Sequence, residues 1–163
     1  MLIRLAFLTL LLLLPDYTHA WPARVQQVTD GDTVVVLAAG DKESPMPLRL
    51  YGIDAPETDQ SGGAAAQAQL AALLPAKAKV EVLPMTTDKY GRVVALIARK
   101  GVVVNGVMVA TGNAWVEPRY CRARLCKKWR KAQTAAAKEK KGLWAEERPT
   151  APWEWRKAQK PSK

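Results

Sequence analysis

Arg49-Leu50-Tyr51-Gly52-Ile53-Asp54-Ala55-Pro56-Glu57 decides how this chain is read. Leu48, Leu50 and Gly52 alternate with Arg49, Tyr51 and Ile53, the pattern of a half-buried strand. Pro56 has no amide hydrogen to give to a ladder, so the strand ends near Ala55. One cation and two carboxylates, Arg49, Asp54 and Glu57, therefore gather around one strand end. Upstream, Asp30-Gly31-Asp32-Thr33 is a turn sequence that runs into Val34-Val35-Val36. Downstream, Asp88-Lys89-Tyr90-Gly91-Arg92 is another, leading into Val93-Val94-Ala95-Leu96-Ile97. Three turns flanking strands, each rich in Asp, Glu or Arg, organise the chain.

Outward from these turns, the pattern gives five strands: Arg24 to Val28, Thr33 to Leu37, Met46 to Ile53, Lys79 to Leu83 and Arg92 to Arg99. Ala39-Gly40-Asp41 and Ser44-Pro45 mark a longer loop between the second and third. Ser61-Gly62-Gly63 opens an Ala-rich helix whose Ala66, Leu70, Leu73 and Leu74 share one face, and Pro75 stops it. Val104, Val107, Met108 and Thr111 predict a short helix ending at Gly112, followed by an extended apolar pair, Trp115-Val116. Leu125, Trp129, Ala132 and Ala136 form a narrow stripe on a third helix with Lys-rich flanks, for which Gly142 is the expected C′ residue. Residues 148–163 contain three prolines, five Lys or Arg, and Trp153 and Trp155, without periodicity. They read as a mobile basic tail, able to stack on bases or to dock on the domain. Pattern alone leaves a sandwich and a barrel both open.

Composition narrows the chemistry. Arg4, the apolar run Leu5 to Leu14, Pro15 and Thr18-His19-Ala20 read as an export leader cleaved after residue 20, too short to span a bilayer. The leader holds one Arg and one Asp, so its removal leaves the net charge at +10. That charge suits a polyanionic partner, either nucleic acid or an acidic membrane surface. A membrane-active protein would need a basic helix with a broad apolar face, and the Trp129 helix has a narrow one. The only histidine, His19, lies in the leader, so residues 21–163 offer no His base, no Ser-His triad and no His-ligated zinc. Cys121 and Cys126 are the only cysteines. Export favours a disulfide between them, which requires non-helical backbone and a long helix starting at or after Cys126.

Asp-Gly-Asp-Thr, then Arg-x4-Asp-x-Pro-Glu, then Asp-Lys-Tyr-Gly-Arg, in that order, resemble the staphylococcal (thermonuclease-type) nuclease family, over about Val25 to Trp144. The resemblance implies an α+β fold, a five-stranded OB-type barrel with about three helices, within residues 21–147. It implies a Ca²⁺-dependent nuclease acting on DNA and RNA with little sequence preference and leaving 3′-phosphate ends. A secreted or periplasmic monomer without stable membrane insertion is expected. A non-catalytic nucleic-acid-binding module on the same barrel is the competing reading.

The residues suit the chemistry. A phosphodiester repels nucleophiles, so a catalyst must neutralise the phosphate, orient a water and stabilise charge on the leaving oxygen. Asp32, Asp54 and the Ala55 carbonyl are the candidate ligands of a hard cation, an all-oxygen set that favours Ca²⁺ or Mg²⁺. Family resemblance selects Ca²⁺. Arg49 and Arg92 are the candidate phosphate forks and Glu57 the candidate base, with Asp30 behind the ligands. Lys89 and Tyr90 match family positions near the nucleotide, and Tyr120 matches one of two tyrosines, Glu117-Pro118 standing where the other belongs. Ala55 replaces a family Thr. Taken singly, each has an ordinary reading: Asp30 and Asp32 as turn formers, Arg49 as a strand-face charge, Asp88 and Arg92 as a pair across a hairpin, Pro56-Glu57 as a helix start.

Overall fold

The structure, a computed structural model, describes residues 19–38 and 44–160. Most of the expected leader and part of the loop after the second strand lie outside the described residues. The described residues form eight strands: β1 (Trp21–Val28), β2 (Thr33–Ala38), β3 (Met46–Leu50), β4 (Ile53–Asp54), β5 (Lys79–Thr87), β6 (Val93–Arg99), β7 (Val102–Val103) and β8 (Trp115–Val116). Four α-helices among the described residues accompany them: α1 (Gly63–Leu73), α2 (Val104–Ala110), α3 (Leu125–Lys138) and α4 (Pro152–Ala158), with a 3-10 turn at Gly142–Ala145.

The strands run β3-β2-β1-β5-β6, every neighbour antiparallel, and a parallel β3–β6 pairing closes the ring. This is the expected five-stranded OB-type barrel. Alternation fills its interior: Val34 and Val36 of β2, Leu48 and Leu50 of β3, Val82 of β5 and Ile97 of β6 are all buried. Leu70 and Leu74 from the α1 side and Met108 of α2 join the same core.

The third strand is not continuous to Ile53. It breaks at Tyr51-Gly52, where Gly52 adopts φ +72°, and Ile53-Asp54 leaves the barrel to pair with β8. A side chain on Gly52 would also run into the Cys121 sulfur. The first strand begins earlier than its alternation suggests, at Trp21, and β5 continues past Pro84 by way of a register shift between Pro84 and Thr86.

Buried Asn105 of α2 pins the break. Its Oδ1 accepts the Ile97 amide at 3.0 Å, and its Nδ2 donates to the Tyr51 and Ala95 carbonyls, each at 3.1 Å. Cys121 and Cys126 are joined, with Cα atoms 5.7 Å apart. The residues between them are non-helical up to Leu125, so α3 starts one residue sooner than expected.

Two expectations at the C-terminal end are corrected. The C′ residue of α3 is Lys140, at φ +53°, not Gly142. The Lys141 amide reaches the Ala136 carbonyl at 3.0 Å and the Lys140 amide reaches Ala137 at 3.1 Å, the paired bonds of a Schellman motif. The segment read as an aperiodic tail contains α4, a fourth helix docked on the domain. Pro152 sits in its first turn, Glu154 favours its N-terminal end, and Arg156 and Lys157 favour its C-terminal end. Ala151 and Pro152 are buried, and the Trp153 ring lies 5.7 Å from Trp115, which also packs on Trp144 at 4.3 Å. Trp153 is thus spent on an aromatic cluster of the domain.

Candidate active site

The β2–β3 ladder sets Thr33 opposite Arg49, and the Asp32 carbonyl takes the Leu50 amide at 2.8 Å. Asp32 and Arg49, seventeen residues apart in sequence, therefore meet at the barrel rim. Arg49 forks between two carboxylates, with Nη1 2.5 Å from Asp32 Oδ1 and Nη2 2.6 Å from Asp54 Oδ1. Asp32 also accepts the Ala55 amide at 2.9 Å and the Thr33 hydroxyl at 3.2 Å. Asp32 is 3% and Asp54 1% exposed, so the group is a buried ionic cluster, not a solvated strand face. Gly31 makes room for it: a Cβ there would lie 2.6 Å from the Ala55 Cβ and 2.7 Å from that of Ala66.

Burial pushes the Asp32 carboxyl up to about 7, Arg49 drawing it down and Asp30 and Asp54 adding to the rise. Burial works against the Arg49 charge as well, yet Asp32 and Asp54 outweigh it and hold Arg49 protonated above its usual range. Asp30 has a local task here, its Oδ1 accepting the Asp32 amide at 2.9 Å and shaping the turn that presents Asp32.

Glu57 lies beyond Pro56 in a loop closed by Gln60, whose amide reaches the Glu57 carbonyl at 3.0 Å. A second cation completes the cluster from a direction the sequence reading missed. Arg156 of α4 sets Nη1 2.5 Å from Glu57 Oε1, and Nη2 2.7 Å from Asp54 Oδ2. Its charge is strengthened by hydrogen bonds to Asp54, against the opposing effect of burial, with Glu57 adding to the rise. The signal was the i, i+3 spacing of Trp153 and Arg156 behind a proline, which puts both on one helix face.

The third turn is built separately. Asp88 Oδ1 accepts the Tyr90 and Arg92 amides at 2.9 and 3.0 Å, and its Oδ2 pairs with Arg92 Nε at 2.7 Å. Burial raises the Asp88 pKa somewhat, but these bonds to Arg92 and Tyr90 hold it below the usual carboxylate value. Arg92 makes no ion pair with the Asp32–Arg49–Asp54 cluster among the described residues. The ladder nevertheless relates the two: Val94 pairs with Arg49, and strand alternation puts Arg92 on Val94's face. Tyr90 is 73% exposed, with Lys89 Nζ 4.8 Å from its ring centroid. Tyr120 is 70% exposed, in the loop carrying the disulfide, where its amide donates to Glu117 at 2.6 Å.

The donors around Asp54 suit a hard cation. No three His, Cys, Asp or Glu side chains among the described residues are grouped to hold a metal by themselves. Asp32 and Asp54 supply oxygen donors alone, leaving further positions to backbone oxygen and water, as Ca²⁺ and Mg²⁺ accept. Arg156 already sets positive charge against both Asp54 oxygens, as a cation there would. Among the described residues, no helix is long and apolar enough to cross a membrane.

Comparisons with known proteins agree with this geometry. A family model described as "Staphylococcal nuclease homologue" matches residues 47–146, which include Arg49, Asp54, Glu57 and Arg92. An "Uncharacterized endonuclease" of Escherichia coli is 34% identical over 148 residues, spanning 86% of this chain and 92% of that protein. A "Micrococcal nuclease" of Shigella flexneri is 30% identical over 145 residues, 83% of this chain and 80% of its own. A "Staphylococcal-like nuclease CAN1" of Arabidopsis thaliana is 38% identical over 110 residues, 68% of this chain and 33% of that longer protein. With the barrel closed as the motifs require and the match running across its acidic and basic rim, the chain belongs to the staphylococcal nuclease family and is a phosphodiester-cleaving nuclease.

Proposed function

We propose that this protein is an exported, Ca²⁺-dependent nuclease that cleaves DNA and RNA with little sequence preference and leaves 3′-phosphate ends. The observation that carries the reading is the meeting of Asp32, Arg49, Asp54 and Glu57 in one ion-paired group at the end of β3 and β4. Asp32, Asp54 and the Ala55 carbonyl would hold the cation. When bound, it supplies positive charge to the phosphate and to the attacking water.

The chain's own groups do the rest. Arg49 has five N–H donors and spends two on Asp32 and Asp54, which leaves donors for a non-bridging phosphate oxygen. The carboxylates fix its plane before substrate arrives, so little reorganisation is needed as charge grows on the phosphate. Arg92, tied to Asp88 through Nε, keeps its two Nη groups for the phosphate or for the departing 5′-oxygen. Glu57 accepts the proton of the attacking water at a carboxylate oxygen. Lys89, Tyr90 and Tyr120, all outside the cluster, would meet the flanking nucleotides. Basic charge over the rest of the surface attracts the polyanion without reading its sequence.

Plasmid digestion with Ca²⁺, with Mg²⁺ and with a chelator, followed by end-group analysis, tests the reading. Cleavage with Ca²⁺ that the chelator abolishes, giving 3′-phosphate ends, is expected; 5′-phosphate ends or undiminished cleavage in chelator would overturn it. Export predicts that the processed protein begins at Trp21, which N-terminal sequencing checks.

A further inference from the structure

Asp54 is bonded by guanidinium groups at both oxygens. Oδ1 accepts Arg49 Nη2 at 2.6 Å and Arg156 Nη1 at 3.2 Å, and Oδ2 accepts Arg156 Nη2 at 2.7 Å. Arg156 Nη1 also holds Glu57 Oε1 at 2.5 Å. One arginine thus spans a candidate metal ligand and the candidate base. We propose that Arg156 is a further residue of the active site, whose guanidinium competes with the divalent cation for Asp54, so that Arg156 must release Asp54 and Glu57 before the cation is held. The inference rests on the metal-dependent reading above and adds to it a competitor built into the chain.

The competition is a matter of lone pairs and charge. A hard cation approaches carboxylate oxygen to about 2.3–2.6 Å. A guanidinium bonded to the same oxygens occupies that approach and repels a second positive charge across a few ångströms of poorly screened space. Arg49 does not compete in this way, because it takes one Asp54 oxygen only and is itself held by Asp32. Exposure separates the two arginines: the Arg49 side chain is 23% exposed, that of Arg156 43%. The more exposed pair is better screened and more easily exchanged.

Contacts elsewhere deliver Arg156 to this place. Trp115 and Asp54 face each other across the β4–β8 pair. Trp153 packs on the first and Arg156 bonds the second, three residues apart along α4. Upstream, Gln60 Nε2 donates to the Thr150 carbonyl at 2.7 Å, and Ala151 and Pro152 are buried. These anchors involve none of the carboxylates, so they hold α4 near the site whether or not Arg156 is engaged.

Calorimetric titration of the purified protein with Ca²⁺ alone, without nucleic acid, tests the proposal. Arg156→Gln is expected to bind Ca²⁺ about tenfold more tightly than the wild type, the scale of losing one charge-assisted competitor at a partly exposed site. Trp153→Ala, which loosens α4 without touching a carboxylate, should shift affinity in the same direction. In the wild type, Ca²⁺ should speed hydrogen exchange in residues 153–158. If Arg156→Gln binds Ca²⁺ no more tightly than the wild type while Asp54→Asn loses binding, the competition is refuted and the metal reading stands. If neither the wild type nor Arg156→Gln takes up Ca²⁺ or Mg²⁺, the metal reading fails and the proposal falls with it.

Discussion

Glu57 and Arg49 sit in one ionic group but are proposed to carry different tasks, and substitution separates them. Glu57→Gln keeps size and polarity and removes the carboxylate proposed as the base. Turnover should fall by about 10²–10⁴, with substrate binding nearly intact, in single-turnover assays at saturating Ca²⁺. Arg49→Lys keeps the charge but loses the planar fork that spans Asp32 and Asp54, and should also slow turnover heavily. Near-wild-type turnover in both variants would remove the assignment. Asp88 gives a pH test away from that group. Its pKa is lowered in the folded protein, so its stabilisation is complete above the ordinary carboxylate value of 3.8 and is lost as pH falls through the lowered one. The stability difference between wild type and Asp88→Asn should therefore be constant near neutrality and shrink below pH 3.8, measured by thermal unfolding at a series of pH values.

Among the elements, α2 does more for the site than its seven residues suggest. Asn105 is wholly buried and serves three backbone groups, two of them on β6 and one at the break between β3 and β4. Asn105→Ala should cost about 3 kcal/mol, because buried amide and carbonyl groups lose their partners without gaining water. Urea unfolding should show a lower midpoint at unchanged slope. The sequence pattern does not show this role: an Asn in a short apolar helix has no periodic signature, and its partners lie 8 to 54 residues away. The broken third strand was hidden for a related reason. Alternation continues evenly through Gly52, and only the Cys121 sulfur packed against it and the β4–β8 pairing reveal the bend.

At the scale of the whole molecule, the net charge of +10 should govern association with nucleic acid. Affinity for unrelated duplexes of equal length should fall steeply and in parallel as salt rises, because released counterions and not base contacts drive it. Fluorescence anisotropy at several salt concentrations checks this. A strong preference for one sequence at all salt concentrations would contradict it. The C-terminal segment enters the same balance differently from a free basic tail. Trp153 is packed on Trp115 and Arg156 is paired with two carboxylates, so neither is presented to substrate in this arrangement.

What the sequence determined by itself was local or ordered along the chain. Strand alternation and Pro and Gly punctuation anticipated the strands, and three acidic or basic turns in a set order carried the family resemblance, which in turn implied the barrel and the residues at its rim. Each of those signals lies within a few residues of its effect, where backbone sterics and side-chain period decide the outcome. Tertiary structure alone decided where the chain closes and what else reaches the site. The parallel β3–β6 pairing joins segments more than forty residues apart, and Arg156 meets Asp54 across 102 residues. Contacts at such separation depend on which surfaces remain unburied once the barrel has formed. A proline-bounded stretch of Trp and Arg becomes a helix because Trp115, Gln60, the buried Asp54 and the half-exposed Glu57 are waiting for it.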